Sequence, residues 1–193
     1  APTMSQIKTA ISIADALSYL HTNKIIFRDL KPANVGYDNT GVLKLFDFGF
    51  ATVVEEVEHE GHLLYDKCGT PRYMAPEVGL EHGYHLPADV YSFGILLWEI
   101  CALKKPFGNV KSAIEFEKAV FEKGSRPKVS NHWPRVLQEL TTNCWSSDPK
   151  ERPSMAHVKT MLVAYAREEQ NSNSGKRGTN NILRNSVSRR FTG

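Results

Sequence analysis

Residues 27–38 read FRDLKPANVGYD, which sets Arg28, Asp29, Lys31 and Asn34 within eight positions that start at an aromatic. Short apolar runs lie on either side, KIIF at 24–27 and VGY at 35–37. Turn chemistry, DNTG at 38–41, then leads into VLKLF, so short strands are expected to flank a hairpin, with the charged set on a loop. Upstream, Ile7, Ala10, Ile11, Ala14, Leu17 and Leu20 recur at three- and four-residue steps, the stripe of an amphipathic helix that ends near His21. A loop held between a helix and strands can converge several polar side chains on one point, which suits chemistry better than packing.

Further along, residues 47–77 show little periodicity and much charge, as in EEVEHEGH at 55–62, the pattern of a long irregular segment that is either functional or disordered. Pro87 opens PADVYSFGILLWEICAL, apolar on nearly every face with proline in the first turn, and predicts a central buried helix. Further helices are expected at about 110–123 and 135–145. A last one begins after Ser154, a good N-cap, and carries Val158, Met161, Leu162 and Tyr165. Trp98, Trp133 and Trp145 read as core aromatics. The sum is mainly α, without internal repeats, and residues 1–170 are expected to form one domain.

Composition excludes several classes. With 193 residues, 41% hydrophobic and 23% charged, the chain has the balance of a globular protein and at this size can bury roughly 70% of its unfolded surface. Its longest apolar candidate, FGILLW at 93–98, falls far short of the roughly 20 residues of a bilayer span. Cys68, Cys101 and Cys144 are odd in number and widely spaced, against a disulfide frame or zinc site and in favour of reduced thiols in an intracellular, cytoplasmic setting. The start, APTMSQIKTAISIADAL, has no basic or apolar leader and enters directly into the helical pattern, as a cut within a longer chain would. Formal charge is +3, yet residues 171–193 hold Lys176, Arg177, Arg184, Arg189 and Arg190 with no acid, which leaves the rest mildly acidic. Scattered among Ser, Asn and Gly, these charges read as a disordered basic tail instead of a nucleic-acid-binding face. Within it, Arg184, Ser186 and Ser188 form a short string of basophilic phosphorylation type.

Three motifs in order, FRDLKPAN at 27–34, FDFG at 46–49 and CGTPRYMAPE at 68–77, resemble the catalytic loop, metal-binding motif and activation-segment end of eukaryotic protein kinases. The resemblance continues through DVYSFG at 89–94 and CWSSDPKERPS at 144–154, and covers about residues 4–168. It implies a kinase-like large lobe, a helical bundle with a short β-hairpin region at the catalytic loop, that transfers the γ-phosphate of ATP to a protein hydroxyl with Mg2+. DLKPAN and GTPRYMAPE are of serine/threonine type, whereas DVYSFGILLWEI and CWSSDPKERPS are similar to tyrosine-kinase and tyrosine-kinase-like enzymes. The combination is identified as a tyrosine-kinase-like serine/threonine kinase.

Phosphoryl transfer needs positioning and charge stabilisation, hence a carboxylate near the acceptor hydroxyl, metal ligands and a cation at the transferred phosphate. The resemblance assigns these parts to Asp29 as the catalytic base, Lys31 at the γ-phosphate, and Asn34 and Asp47 as hard oxygen ligands of magnesium and the nucleotide. It implies that Thr70 bonds the catalytic Asp and Lys, with a phosphosite as the rival reading, and that Glu77 and Arg152 form a buried structural ion pair. Gly49 marks a possible hinge of the activation segment. Arg28 resembles the arginine that meets an activation-segment phosphate. The hydroxyls available are Thr52, Tyr65 and Thr70, while Glu55, Glu56, Glu58, Glu60 and Asp66 offer charge without modification, and the sequence does not choose among them.

Two residues depart from the pattern. Phe27 stands where most kinases have histidine, and an aromatic is expected to keep the apolar stack under the metal-binding motif. Gly36 stands where many place a larger side chain beneath the adenine, which implies a shallower floor. The glycine-rich strand-turn, the strand lysine and its helix glutamate have no counterpart before residue 24, so the small lobe is expected to be absent from this chain. Two functions follow: an active serine/threonine kinase of which this is a part, or a non-catalytic kinase-like binding module or pseudokinase scaffold.

Overall fold

The computed structural model describes residues 1–54 and 63–188, with side chains through Ser172. Glu55, Glu56, Glu58 and Glu60 therefore lie outside the described residues, as do the side chains of the basic tail. Helix α1 spans Met4–Thr22 and opens on a capping box, in which Thr3 accepts from the Gln6 amide and the Gln6 side chain accepts from the Thr3 amide. Its buried face is Ile7, Ala10, Ile13, Ala14, Leu17 and Leu20. Ile11 lies at the edge of that face and Ile13 within it, because α1 is covered from two sides, by helices α3 (Pro87–Ala102) and α6 (Met155–Ser188).

Four short strands follow: β1 Ile25–Ile26, β2 Val35–Tyr37, β3 Leu43–Leu45 and β4 Thr52–Val53. β2 and β3 form the expected antiparallel hairpin, Val35 opposite Leu45. Its turn is built by Asp38, whose carboxylate accepts from the Thr40 and Val42 amides, with Gly41 at φ +80°. β1 pairs with β4, so the chain before the charged loop is tied to the segment after residue 47, and the chain after it is tied to β3.

The rest is helical: α2 Pro76–Gly79, α3, α4 Ala113–Phe116 continued as a π-type turn over Glu117–Glu122, α5 Arg135–Cys144, and α6. The central helix α3 is buried on nearly every face, as its sequence predicts, and Trp98, Trp133 and Trp145 all lie in the core. Ser154 caps α6 by accepting from the His157 amide. The α6 backbone runs on to Ser188. No described helix is long and apolar enough to cross a membrane.

Candidate active site

The loop between β1 and β2 is fixed from beneath. Asp89, fully buried in the first turn of α3, accepts from the Phe27 amide (2.7 Å) and the Arg28 amide (2.8 Å), and its Oδ2 also meets His21 Nε2 at 3.0 Å. Two loop amides that would otherwise be buried donors are thereby satisfied. Arg28 itself sits at φ +70°, a conformation that costs a non-glycine residue about 1–2 kcal/mol and persists only where the surroundings impose it.

This arrangement presents Asp29, 3% exposed, to three donors. Its Oδ1 accepts from Thr70 Oγ1 at 2.7 Å, and its Oδ2 accepts from Lys31 Nζ at 2.6 Å and Asn34 Nδ2 at 3.1 Å. Lys31 Nζ also donates to Thr70 Oγ1 at 3.0 Å, closing a ring of Asp29, Lys31 and Thr70. The structure therefore brings Asp29, Lys31 and Asn34 together, and adds Thr70 from a distant segment. A carboxylate offers about four acceptor positions. Among the described residues three are used, and the one left lies on Oδ1.

Asp47 stands apart from this ring. It follows β3 at φ +59°, is exposed, and its Oδ1 accepts from the Gly49 amide at 3.3 Å. The link is through backbone: the Phe46 amide donates to the Asn34 carbonyl at 2.9 Å, which sets the two candidate metal-ligand loops side by side. Asn34 uses its amide nitrogen on Asp29, both main chain and side chain, and its Oδ1 has no hydrogen bond among the described residues. An amide oxygen and an exposed carboxylate on neighbouring loops are hard donors of the kind taken by a magnesium ion that has few protein ligands and keeps waters and phosphate oxygens. Among the described residues no group of three or more His, Cys, Asp or Glu could hold a metal ion.

The departures have structural counterparts. Phe27 is fully buried and meets the Phe48 ring edge-on, centroids 5.2 Å apart, so the aromatic does keep the stack. Gly36 makes room for Phe46: a Cβ there would sit 2.8 Å from the Phe46 ring. Beside it opens an apolar groove of about 470 Å3, lined among others by Ile13, Val35, Tyr37 and Ile100, which none of Asp29, Lys31, Asn34 and Asp47 lines. Glu77 and Arg152 form a bidentate buried pair, at 2.5 and 2.9 Å. Sequence reasoning missed Asp89 as a support of the loop. Its signal was present: an acid in the first turn of an otherwise apolar helix.

Comparison with known proteins decides the family. The family model for the protein kinase domain matches residues 3–163. This chain is a member of the protein kinase family. It is similar to the serine/threonine-protein kinases STY17 (38% identical over 85% of this chain) and STY46 (37% over 83%) of Arabidopsis thaliana. It is also similar to the dual specificity protein kinase shkB of Dictyostelium discoideum (35% over 81%). The chain covers 28%, 27% and 24% of these relatives' lengths. Protein kinases generally use ATP and Mg2+.

Proposed function

We propose that this chain is the large lobe of an active serine/threonine kinase of the tyrosine-kinase-like branch, residues 1–170 forming the partial kinase domain. The observation that carries the reading is the hydrogen-bonded ring of Asp29, Lys31 and Thr70, which leaves one acceptor position on Asp29 Oδ1. That position receives the proton of a protein hydroxyl as its oxygen bonds to the γ-phosphorus of ATP and the bond to the β,γ-bridging oxygen breaks. Lys31 sets its positive charge beside the transferred phosphoryl group, and Thr70 holds both partners in register. Asn34 and Asp47 are the residues that would hold magnesium, which when bound neutralises charge on the phosphates. Lys31 and the serine/threonine names of most of the relatives reported above support a Ser/Thr acceptor, and the motif mix at 89–100 and 144–154 supports the branch.

A second lobe is supported by surface chemistry: Phe46, Phe48 and Phe50 are each nearly half exposed beside the candidate metal-ligand loops. A scaffold role does not require the free oxygens of Asn34 and Asp47. The chain alone is expected to show little ATP-dependent phosphotransfer. Joined to a nucleotide-clamping small lobe, it is expected to be active and to lose ~1000-fold on Asp29→Asn. Equal rates for the joined wild type and Asp29→Asn would rule out this assignment of the base.

A further inference from the structure

The guanidinium next to the proposed base is already occupied. Arg28 Nη1 meets both carboxylate oxygens of Asp66, at 2.9 and 2.7 Å, while Arg28 Nε donates to the Phe50 carbonyl at 2.5 Å. One side chain thus ties together the two ends of the segment between residues 50 and 66. Tyr84, buried beneath, donates to the Asp66 carbonyl at 2.9 Å and lies 3.0 Å from Asp66 Oδ1 and 3.2 Å from Arg28 Nη1. Three residues on, the backbone at Gly69 crosses Arg28 so closely that a Cβ would stand 2.4 Å from the Arg28 carbonyl oxygen. The next residue is Thr70, which bonds Asp29. Asp66, Arg28, Gly69 and Thr70 therefore form one continuous path from an acid to the proposed base.

Hydroxyls that could bring in a phosphate are scarce. Between Asp47 and Glu77 the chain holds Thr52, Tyr65, Thr70 and Tyr73. Thr70 is in the ring, and Tyr73 donates to Glu99 at 2.6 Å. Thr52 belongs to β4, paired with Ile26. Tyr65, 61% exposed and adjacent to Asp66, is the one rival.

We propose that Asp66 is a positioning residue, the resident anion that holds this kinase's activation segment on Arg28 in the active arrangement with no phosphate added; the proposal rests on the catalytic reading above. Burial opposes the Arg28 charge, but the hydrogen bond that Arg28 donates to Tyr84 and the nearby acidic groups, Asp66 among them, overcome it, and the Arg28 pKa is raised. Burial likewise opposes the Asp66 charge, and the Tyr84 and Arg28 contacts outweigh it, so the Asp66 pKa is lowered. Both groups stay charged.

Asp66→Asn, Asp66→Glu and Tyr65→Phe separate the possibilities. Hydrogen exchange over residues 63–70 is read in the 193-residue chain, and phosphotransfer in the chain joined to its small lobe, before and after phosphatase treatment. Asp66→Asn is expected to speed exchange and slow phosphotransfer, each ~10-fold or more, while Asp66→Glu restores most of both, because charge and not shape is what is lost. Tyr65→Phe and phosphatase treatment are expected to leave both at the wild-type level. Exchange in Asp66→Asn equal to wild type overturns the proposal, as does a loss on Tyr65→Phe or phosphatase treatment matching that of Asp66→Asn. If the wild type itself transfers no phosphate, the catalytic reading fails, and the exchange result still decides the clamp.

Discussion

At the residue scale, one buried acid does most to shape the site. Asp89 carries no candidate chemistry, yet its two oxygens serve the amides of Phe27 and Arg28 and the ring of His21. Asp89→Ala strands two backbone donors in a dry environment at about 1–3 kcal/mol each, so a loss of ~3–5 kcal/mol in unfolding free energy is expected by urea titration. Asp89→Asn retains one acceptor oxygen and is expected to lose less. A loss below ~1 kcal/mol for the alanine variant would mean that these amides find other partners. Asp89 was legible only as an oddity of composition, since no local pattern says which amides a buried carboxylate serves.

Between elements, the crossing of α3 and α5 is set by a missing side chain. A Cβ on Gly94 would lie 2.8 Å from Cys144 Cβ and 3.2 Å from the Trp145 amide nitrogen. Gly94→Ala gains ~1 kcal/mol of helix propensity but forces two packed backbones apart, an overpacking cost of ~1–3 kcal/mol. Because the obstacle is backbone and not the end of a flexible side chain, the second effect wins. Thermal unfolding of Gly94→Ala is expected several degrees lower, and a rise would show that the helices separate freely. The apolar run behind Pro87 predicted α3, and α5 was expected at about 135–145, whereas their closeness at Gly94 belongs to the packing alone.

Across the whole molecule, core packing sets the response to alkali. Burial raises the Cys101 and Cys144 thiols from 9.0 to about 12, and the Tyr91 phenol from 10.0 to about 12. The folded state therefore keeps these protons where the unfolded chain releases them. Their contribution to stability is complete below pH 9 and is lost as pH rises toward 12. The urea midpoint is expected to stay level with respect to these groups from pH 7 to 8.5 and to fall steadily above pH 9, with Cys101 and Cys144 resisting thiol reagents until unfolding and Cys68, half-buried, reacting first. An alkaline midpoint that does not move would contradict the burial of these groups.

What the sequence determined by itself is whatever depends on neighbours along the chain: the stripe of α1, the DNTG turn of the hairpin, the apolar run of α3, and the motifs that carry Asp29, Lys31, Asn34 and Asp47. The pairing of Asp66 with Arg28, the closure of Thr70 on Asp29 and Lys31, and the support of two loop amides by Asp89 join residues 38 to 62 positions apart. Tertiary structure decided these, because a hydrogen bond across such a separation forms only where packing of the intervening helices and strands brings donor and acceptor within about 3 Å, a condition that no local pattern encodes.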